Sequence, residues 1–208
     1  MDIAVLGAGK VGGTLGKKWS HAGHNVGFGV RDPHEDKYQI LLNDCSETAK
    51  AQTVAESVAS ANVVVIALPW NSVNEVVSDL DLNGKLVIDC TNAIASGLKP
   101  VFPNTTSAAE QIAAWATGAH VFKAFNTTGW ENMENPDYHG TPITMFYCGD
   151  SAEHQTTVHT LIQDVGFEPW FVGELTKARF LEPLALLWIS EAIAQGKGRD
   201  IAFKMMKR

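Results

Sequence analysis

Three glycines near the start of the chain have a spacing that can hold a diphosphate. The first twelve residues read MDIAVLGAGKVG, so a short apolar run leads directly into G-x-G-x-x-G. In a strand-turn-helix unit the first glycine allows the tight turn, the second lets the backbone approach a pyrophosphate, and the third lets the helix pack on the sheet. The alternative is an ordinary glycine-rich turn. The residues that we expect to contact a dinucleotide here are Gly7, Ala8, Gly9, Lys10, Val11 and Gly12.

The residues around this turn favour the dinucleotide interpretation. Ile3 to Leu6 have the composition of a short buried strand. Leu15, Trp19 and Ala22 share one face of a helix that begins near Val11. The N-terminus of such a helix offers unpaired N–H groups and the positive end of its dipole to phosphate oxygens.

The end of the second predicted strand carries the residues that select between NAD and NADP. The sequence there reads Gly29-Val30-Arg31-Asp32-Pro33. An acidic residue at this place accepts from the ribose 2′-OH of NAD, whereas an arginine pairs with the 2′-phosphate of NADP. Asp32 would either hold Arg31 or repel that phosphate, and Asp32-Pro33 also reads as the start of a turn. We expect NADP, bound through Arg31, with Lys10 as a second positive contact or as a solvated lysine.

Apolar runs alternate with helical patterns along most of the chain. This alternation is typical of an α/β protein with a mostly parallel sheet covered on both faces, here a doubly wound, Rossmann-type sheet. A further weak strand is predicted near Lys50 to Gln52. The main predicted strands are Ile3 to Leu6, Asn25 to Val30, Val63 to Leu68, Lys85 to Cys90, Val121 to Phe125, Ile143 to Cys148 and Pro169 to Val172.

Helix starts and loops are marked by short local signals. Capping boxes, in which a side chain and a Glu three residues later satisfy each other's backbone N–H groups, are predicted at Thr53/Glu56, Ser107/Glu110 and Asp150/Glu153. The stretch from Gly97 to Asn104 is predicted to be a surface loop.

The last part of the chain has a different pattern. From Leu175 onward the apolar spacing predicts one long helix, which Pro183 would kink. We therefore divide the chain into an NADP-binding domain, residues 1–173, and a C-terminal helical extension, residues 174–208. The extension would pack on its own sheet or on a second subunit, and we favour a homodimer because its apolar residues lie on several faces.

Composition excludes several classes of function. The formal net charge of −7 argues against nucleic-acid binding, and the longest apolar stretch, Phe180 to Ala194, is interrupted by charges and too short to span a bilayer. The three cysteines are far apart and the histidines lack ligand spacing, so we expect reduced thiols and no metal. Because the first strand begins almost at Met1, we expect no signal peptide and a cytoplasmic protein.

Ligands of a doubly wound sheet collect at the carboxyl ends of its strands. The nearest acid to the segments expected there is Asp89. Hydride transfer between two cofactor rings needs no protein acid or base, whereas reduction of a ketone requires a positioned donor, commonly Lys or His. Lys177 is the tempting donor, although a solvated lysine is the plainer role. The segments that would meet are Leu68-Pro69-Trp70, Thr91-Asn92-Ala93 and Asn126-Thr127-Thr128-Gly129.

Several segments together resemble the NADPH-dependent oxidoreductases of the deazaflavin coenzyme F420 and their dinucleotide-binding relatives. Lys123-Ala124-Phe125-Asn126-Thr127 resembles instead the cytosolic reductase domain of the STEAP metalloreductases. Three features depart from the archaeal deazaflavin enzymes: the shorter glycine turn, Phe125-Asn126-Thr127-Thr128 in place of His-Thr-Ile-Pro, and Asp32 in place of a second basic residue after Gly29-Val30-Arg31. The segments of the first resemblance are Gly29-Val30-Arg31, Ala67-Leu68-Pro69-Trp70, Cys148-Gly149-Asp150, Val172-Gly173-Glu174-Leu175, Arg179-Phe180-Leu181-Glu182 and Gly198-Arg199-Asp200-Ile201-Ala202-Phe203-Lys204.

The resemblance implies hydride transfer between NADP(H) and a second cofactor, which is a deazaflavin such as coenzyme F420, FAD or FMN. It implies that Pro69 and Asn126 border the cofactor and that Trp70 supplies an apolar wall. Ordinary alternatives are core packing for Trp70 and a turn-forming amide for Asn126. We assign Leu68, Pro69, Thr91, Asn92 and Asn126 to the cofactor. We assign Trp70, Thr127 and Thr128 to the substrate.

Two other functions remain open. One is reduction of a small C=O or C=N substrate, although such reductases usually carry a longer helical domain than the last residues here could form. The other is an NADP(H)-sensing protein without turnover, because a fold does not determine a function.

Overall fold

A sheet of eight strands forms the centre of the molecule. A computed structural model describes residues 1–102 and 105–208. Across the sheet the strands follow the order β10-β9-β8-β5-β4-β1-β2-β3. The six strands from β8 to β3 are parallel, β9 runs antiparallel to β8, and β10 is parallel to β9. These strands are β1 (Asp2–Leu6), β2 (Asn25–Val30), β3 (Ala49–Thr53), β4 (Val63–Ile66), β5 (Leu86–Asp89), β8 (His120–Lys123), β9 (Thr144–Gly149) and β10 (Glu168–Phe171).

Helices cover both faces of this sheet, so the predicted fold class is confirmed. The side chains of β1 alternate: Ile3 and Val5 enter one apolar core, and Ala4 and Leu6 enter the other. The first core is covered by α1 (Lys10–His21), α2 (Asp36–Asn43), α6 (Trp130–Glu134) and α7 (Ala152–Val165). The second core is covered by α3 (Val54–Ser60), α4 (Trp70–Ser78), α5 (Ala108–Trp115) and α8 (Ala178–Ile189).

The first helix differs from its prediction at its end. Leu15 and Trp19 are fully buried as expected. Ala22, however, is exposed and forms the C-cap of α1, because the helix ends at His21. The prediction for Ala22 was therefore wrong by one residue, the usual error at a helix end.

A small hairpin interrupts the segment that was predicted to be a loop. Strand β6 (Ile94–Ala95) pairs with β7 (Lys99–Pro100) in antiparallel fashion. Gly97 and Leu98 form its turn with positive φ angles. Strands of two residues are too short to give an alternating pattern, which is why the sequence showed only a loop. The last two residues of the predicted loop, Pro103 and Asn104, lie outside the described residues.

The three predicted capping boxes have three different outcomes. At Thr53 the complete box is present, with both reciprocal hydrogen bonds to Glu56. At Ser107 the hydroxyl accepts from the Glu110 N–H and also donates to the Glu110 carboxylate. The third prediction is wrong, because Ser151 is the N-cap of α7. The Asp150 carboxylate instead accepts from the backbone N–H of Leu175, at 2.8 Å.

The C-terminal region is not one continuous helix. A 3-10 turn (Leu175–Lys177) precedes α8, and a π-helical turn (Ser190–Ala194) follows it. Helix α8 passes through Pro183 and packs against α5 and β9 of the same chain. None of the helices in the two described ranges is long and apolar enough to cross a membrane.

Candidate functional site

The glycine turn lies at the carboxyl end of β1, where the chain passes into α1. Gly7 has a φ of +95°, and a Cβ on it would lie 2.7 Å from the carbonyl oxygen of Ala67. A Cβ on Gly12 would lie 1.9 Å from the carbonyl oxygen of Gly7. Both positions therefore require glycine for reasons internal to the chain.

Gly9 differs from these two glycines because nothing in the described chain crowds it. It is exposed, forms the N-cap of α1, and has no protein atom within 4 Å of the place where a Cβ would stand. The free N–H groups of a helix start face this open space, which is the arrangement that binds a pyrophosphate. The turn therefore fits the dinucleotide that its sequence predicts.

A cleft of about 660 Å³ opens beside this turn. Lys10 lies at its edge, with its Nζ 4.6 Å from the centre of the Trp130 ring, so the lysine makes a cation–π contact. Lys17 is paired with Glu134 across the same cleft, at 2.6 Å. Val11 is half-buried and packs against the first core.

The end of β2 separates the roles of Arg31 and Asp32. Both side chains are exposed, and within the described residues no ion pair joins them. The Asp32 carboxylate accepts from the backbone N–H of His34 at 3.0 Å. Asp32 is thus engaged in its own turn, as an Asp-Pro sequence favours. The Arg31 guanidinium is left available to a ligand.

The segment that follows β4 lies beside the glycine turn. Leu68 and Pro69 follow β4, and Trp70 begins α4. Trp70 is half-buried and stacks on Trp115 with ring centres 5.6 Å apart. It also meets Phe102 edge-on at 5.4 Å. Trp70 therefore belongs to an aromatic cluster of the second core, and its part in holding a substrate ring stays a prediction.

Two amides cross-link the ends of β5 and β8. The Asn92 amide donates to the carbonyl oxygen of Asn126 at 2.9 Å, and the Asn126 amide donates to the Asn92 side-chain oxygen at 3.2 Å. Asn126 Nδ2 also donates to the carbonyl of Leu181 in α8. Asn126 Oδ1 and Thr91 Oγ1 are buried and have no hydrogen-bond partner among the described residues. Two such atoms at the strand ends suit a ligand with amide groups.

The backbone that leads into Asn126 is held in an unusual conformation. Phe125 has a φ of +60°, which is uncommon for a residue other than glycine. Its ring is fully buried and meets Trp19 edge-on. Thr127 is buried as well, and Thr128 accepts from the Asn132 amide at 2.7 Å. Strained backbone of this kind is concentrated at functional sites.

Sequence reasoning missed a buried cluster of charges beneath these strand ends. Lys123 Nζ donates to Asp89 at 2.7 Å and to the carbonyl of Thr91 at 2.6 Å, and it lies 3.2 Å from Glu182. Burial alone would lower the pKa of Lys123, but the two carboxylates outweigh it and raise the pKa above its usual value. The available signal was a lysine inside the apolar run from Val121 to Phe125.

The lysine and the cysteines noted in the sequence lie in contrasting environments. Lys177 is exposed, with its Nζ 5.6 Å from the Phe180 ring centre, in the turn before α8. Cys90 and Cys148 are buried, and burial raises the pKa of both thiols, that of Cys148 to about 12. Neither cysteine is a thiolate at neutral pH.

An open α/β sheet with a glycine turn after its first strand, and with open space at the following helix start, defines a dinucleotide-binding protein. Comparisons with known proteins agree. Residues 2–93 match the family described as NADP oxidoreductase coenzyme F420-dependent. The chain is 28% identical over 189 residues to Metalloreductase STEAP3 of Rattus norvegicus. That match covers 89% of this chain but only 37% of the relative, so the chain spans little more than a third of that protein's length.

Solved structures extend the similarity to the whole chain. A putative F420-dependent NADP-reductase from Arthrobacter sp. FB24 is 29% identical, with a TM-score of 0.85 and complete coverage of both chains. A hypothetical protein from Sinorhizobium meliloti is 25% identical, with a TM-score of 0.76, covering 100% of this chain and 96% of that one. The resemblance predicted from the sequence is confirmed, and the chain is related to the NADP-dependent oxidoreductases.

A more distant structure shares the fold alone. A reductive aminase from Aspergillus terreus in complex with NADPH and ethyl levulinate is 19% identical, with a TM-score of 0.69. The match covers 94% of this chain and 62% of the aminase.

Proposed function

We propose that this protein transfers hydride between NADPH and a second ring cofactor, a deazaflavin such as coenzyme F420 or a flavin. The observation that carries the proposal is the chemistry of the strand ends. Lys123 lies beneath these strand ends, and its Nζ contacts Asp89, the Thr91 carbonyl oxygen and Glu182. A fully buried lysine whose N–H groups are taken by these acceptors is a poor proton donor to a substrate. Hydride transfer between two rings needs no proton from the protein, because the reduced ring can take its proton from water.

Different parts of the site would hold different parts of the dinucleotide. The turn from Gly7 to Gly12 binds the pyrophosphate, and Arg31 pairs with the 2′-phosphate. The strand ends would border the nicotinamide, and bound NADPH would supply the hydride that a second ring receives there. The residues that border the nicotinamide are Leu68, Pro69, Thr91, Asn92 and Asn126.

The chain's own contribution to the reaction is then orientation. Thr91 Oγ1 and Asn126 Oδ1 have no hydrogen-bond partner among the described residues, and they would fix the carboxamide and hence the face of the ring. Trp70, Thr127 and Thr128 lie toward the second ring. Holding two rings face to face at reactive distance is the main requirement of such a transfer.

We also propose that the protein is a homodimer that meets its partner through α8. Phe180 and Leu187 are two turns apart on this helix and are 68% and 51% exposed. Pro183 lies between them and is exposed as well. An apolar stripe of this kind on an otherwise packed helix suits a second copy of the same helix across a twofold axis. A cytoplasmic location remains a prediction from the sequence.

The test is NADPH oxidation with a panel of acceptors under anaerobic conditions. The panel contains coenzyme F420, FMN, FAD, a small ketone and a small cyclic imine. We expect turnover with at least one of the three ring acceptors and none with the ketone or the imine. Turnover with the imine or ketone alone would establish the carbonyl or imine reductase instead. Tight NADPH binding without any turnover would indicate an NADP(H)-sensing protein.

A further inference from the structure

Three buried charged side chains connect the C-terminal helix to the ends of two strands. The side chains of Lys123 and Asp89 are fully buried, and that of Glu182 is 13% exposed. Lys123 belongs to β8, Asp89 ends β5, and Glu182 lies in the middle of α8. The proposed hydride chemistry uses none of them, yet they lie directly beneath the nicotinamide end of the site.

We propose that Lys123 and Glu182 are positioning residues, through which α8 fixes the two strand ends that border the nicotinamide. The inference rests on the proposed function in one respect only, namely that these strand ends face the nicotinamide ring.

Asp89 and Lys123 hold the two backbone polar groups of Thr91. The Asp89 carboxylate accepts from the Thr91 N–H at 2.8 Å, and Lys123 Nζ donates to the Thr91 carbonyl oxygen at 2.6 Å. Both backbone groups of this residue are thus held by side chains of opposite charge. Asp89 and Lys123 are bound to each other at 2.7 Å, so the two contacts form one rigid unit.

Glu182 connects the Asp89–Lys123 pair to α8. Glu182 lies 3.2 Å from Lys123, and its two oxygens accept from the backbone N–H groups of Ala108 and Ala109 at 3.1 and 3.3 Å. Glu182 therefore joins Lys123 to the start of α5. The preceding residue, Leu181, accepts through its carbonyl from the Asn126 side chain at 3.1 Å. Consecutive residues of α8 consequently hold the ends of both β5 and β8.

A stabilising role alone does not explain why charged side chains are buried beneath these strand ends. Replacing a buried ion network by apolar side chains is often neutral or stabilising, so such a network is weak evidence for stability. Its directional hydrogen bonds do impose one geometry on the groups that it contacts. A cluster whose contacts end on Thr91, next to Asn92, is consistent with a positioning role.

The structure offers a matched control at the same helix junction. Arg179 of α8 forms a two-bond ion pair with Glu110 of α5, at 2.6 and 2.9 Å. This pair ties the same two helices together as Glu182 does, but it touches neither Lys123 nor Thr91. Glu110→Gln should therefore weaken the α5–α8 contact without disturbing the strand ends.

The experiment compares Glu182→Gln with Glu110→Gln by ligand affinity and by hydrogen exchange. For Glu182→Gln we expect about fivefold weaker binding of NADPH, and less than about twofold change for 2′,5′-ADP, which lacks the nicotinamide. Amide exchange of residues 90–92 and 124–127 should become faster. Where a ring acceptor is turned over, kcat should fall by about tenfold. Glu182→Asp should restore much of the loss, and Glu110→Gln should show none of these changes.

Several results would overturn the inference. Glu182→Gln could instead weaken the binding of NADPH and 2′,5′-ADP equally, or the two glutamine variants could have equal effects. Either result would show that Glu182 only holds α8 against α5. If the wild-type protein binds NADPH no better than 2′,5′-ADP, the nicotinamide makes no favourable contact with these strand ends. If Glu182→Gln does not fold, Lys123→Arg replaces it, because a planar guanidinium cannot satisfy the same three acceptors in the same geometry. If Glu182→Gln weakens NADPH binding more than 2′,5′-ADP binding but no acceptor is turned over, the positioning role stands. Only the proposed hydride transfer is then rejected.

Discussion

The glycines of the first turn serve two purposes that the sequence pattern does not separate. Gly7 and Gly12 are required by the chain, since a Cβ on either would collide with a backbone oxygen. Gly9 is not, because a side chain there would extend into open space. At the scale of single residues, Gly9 is therefore the position where binding can be removed without removing the fold.

We predict that Gly9→Val yields a folded protein that no longer binds NADPH. The new side chain meets no protein atom near its Cβ, and the N-cap change costs about 1 kcal/mol at most. It does occupy the space through which the pyrophosphate must approach. Isothermal titration calorimetry and thermal unfolding measure the two effects.

Gly12→Ala is the contrasting variant: a clash at 1.9 Å should destabilise the protein by about 3 kcal/mol or more. Unchanged NADPH affinity in folded Gly9→Val would refute the assignment of the turn.

Arg31 is the residue that we expect to distinguish NADPH from NADH. It is exposed and not paired with Asp32, so its guanidinium is available to a 2′-phosphate. A lost charged hydrogen bond of about 1.5 to 3 kcal/mol should weaken NADPH binding by about 10- to 150-fold in Arg31→Ala. NADH binding should change by less than about twofold. Titration of both nucleotides against both proteins decides the matter, and an equal loss for the two would make Arg31 a structural residue.

At the scale of secondary structure, the strands were the most predictable elements. Parallel strands that are buried on both faces appear as continuous apolar runs, such as the one from Val63 to Ile66. Helix ends were less predictable, because a capping residue can be recruited by a distant partner. Asp150 is the example: its carboxylate binds the N–H of Leu175, and the cap role falls to Ser151.

The glycine turn and the strand ends were predictable as parts of a site, but the cluster beneath them was not. Gly7, Gly9 and Gly12 form a local pattern whose spacing carries its meaning. Lys123 and Glu182 are 59 positions apart, and nothing in either neighbourhood shows that they meet. Contacts of this kind depend on how α8 packs on the sheet, which the sequence pattern of a single helix does not specify.

Trp70 and Lys177, at the starts of two helices, should differ in their effect on the rate of hydride transfer. Trp70 begins α4 at the strand ends, whereas Lys177 precedes α8 and is exposed. Trp70→Ala should slow transfer to the ring acceptor by about tenfold, with a smaller effect on NADPH affinity, because the rings are held less firmly. Lys177→Ala should transfer at a rate close to that of the wild type. Stopped-flow measurement of single turnovers separates the two effects, and a silent Trp70→Ala beside an inactive Lys177→Ala would favour a proton-donating mechanism.

At the scale of the whole molecule, the exposed apolar stripe of α8 predicts a second copy of the chain. We expect Leu187→Asp to convert a homodimer into a monomer, because two such charges would face each other near a twofold axis. The variant should remain folded as a monomer, since Leu187 is half exposed within one chain. Sedimentation equilibrium of both proteins is the measurement. A wild-type monomer at micromolar concentration would contradict the dimer without affecting the cofactor assignment.

A labelled cofactor distinguishes direct transfer of hydride between two rings from reduction of a carbonyl or an imine. NADPH that carries deuterium on one face of the nicotinamide C4, prepared separately for each face, is mixed with the protein and coenzyme F420. If hydride passes directly between the rings, the deuterium of one of the two preparations appears on the reduced deazaflavin, without dilution by solvent protons. If FMN is the acceptor, its N5 proton exchanges with water, so the expected result is a primary isotope effect on flavin reduction. If neither preparation labels the deazaflavin and deuterium passes only to an imine or ketone, direct transfer between two rings is refuted.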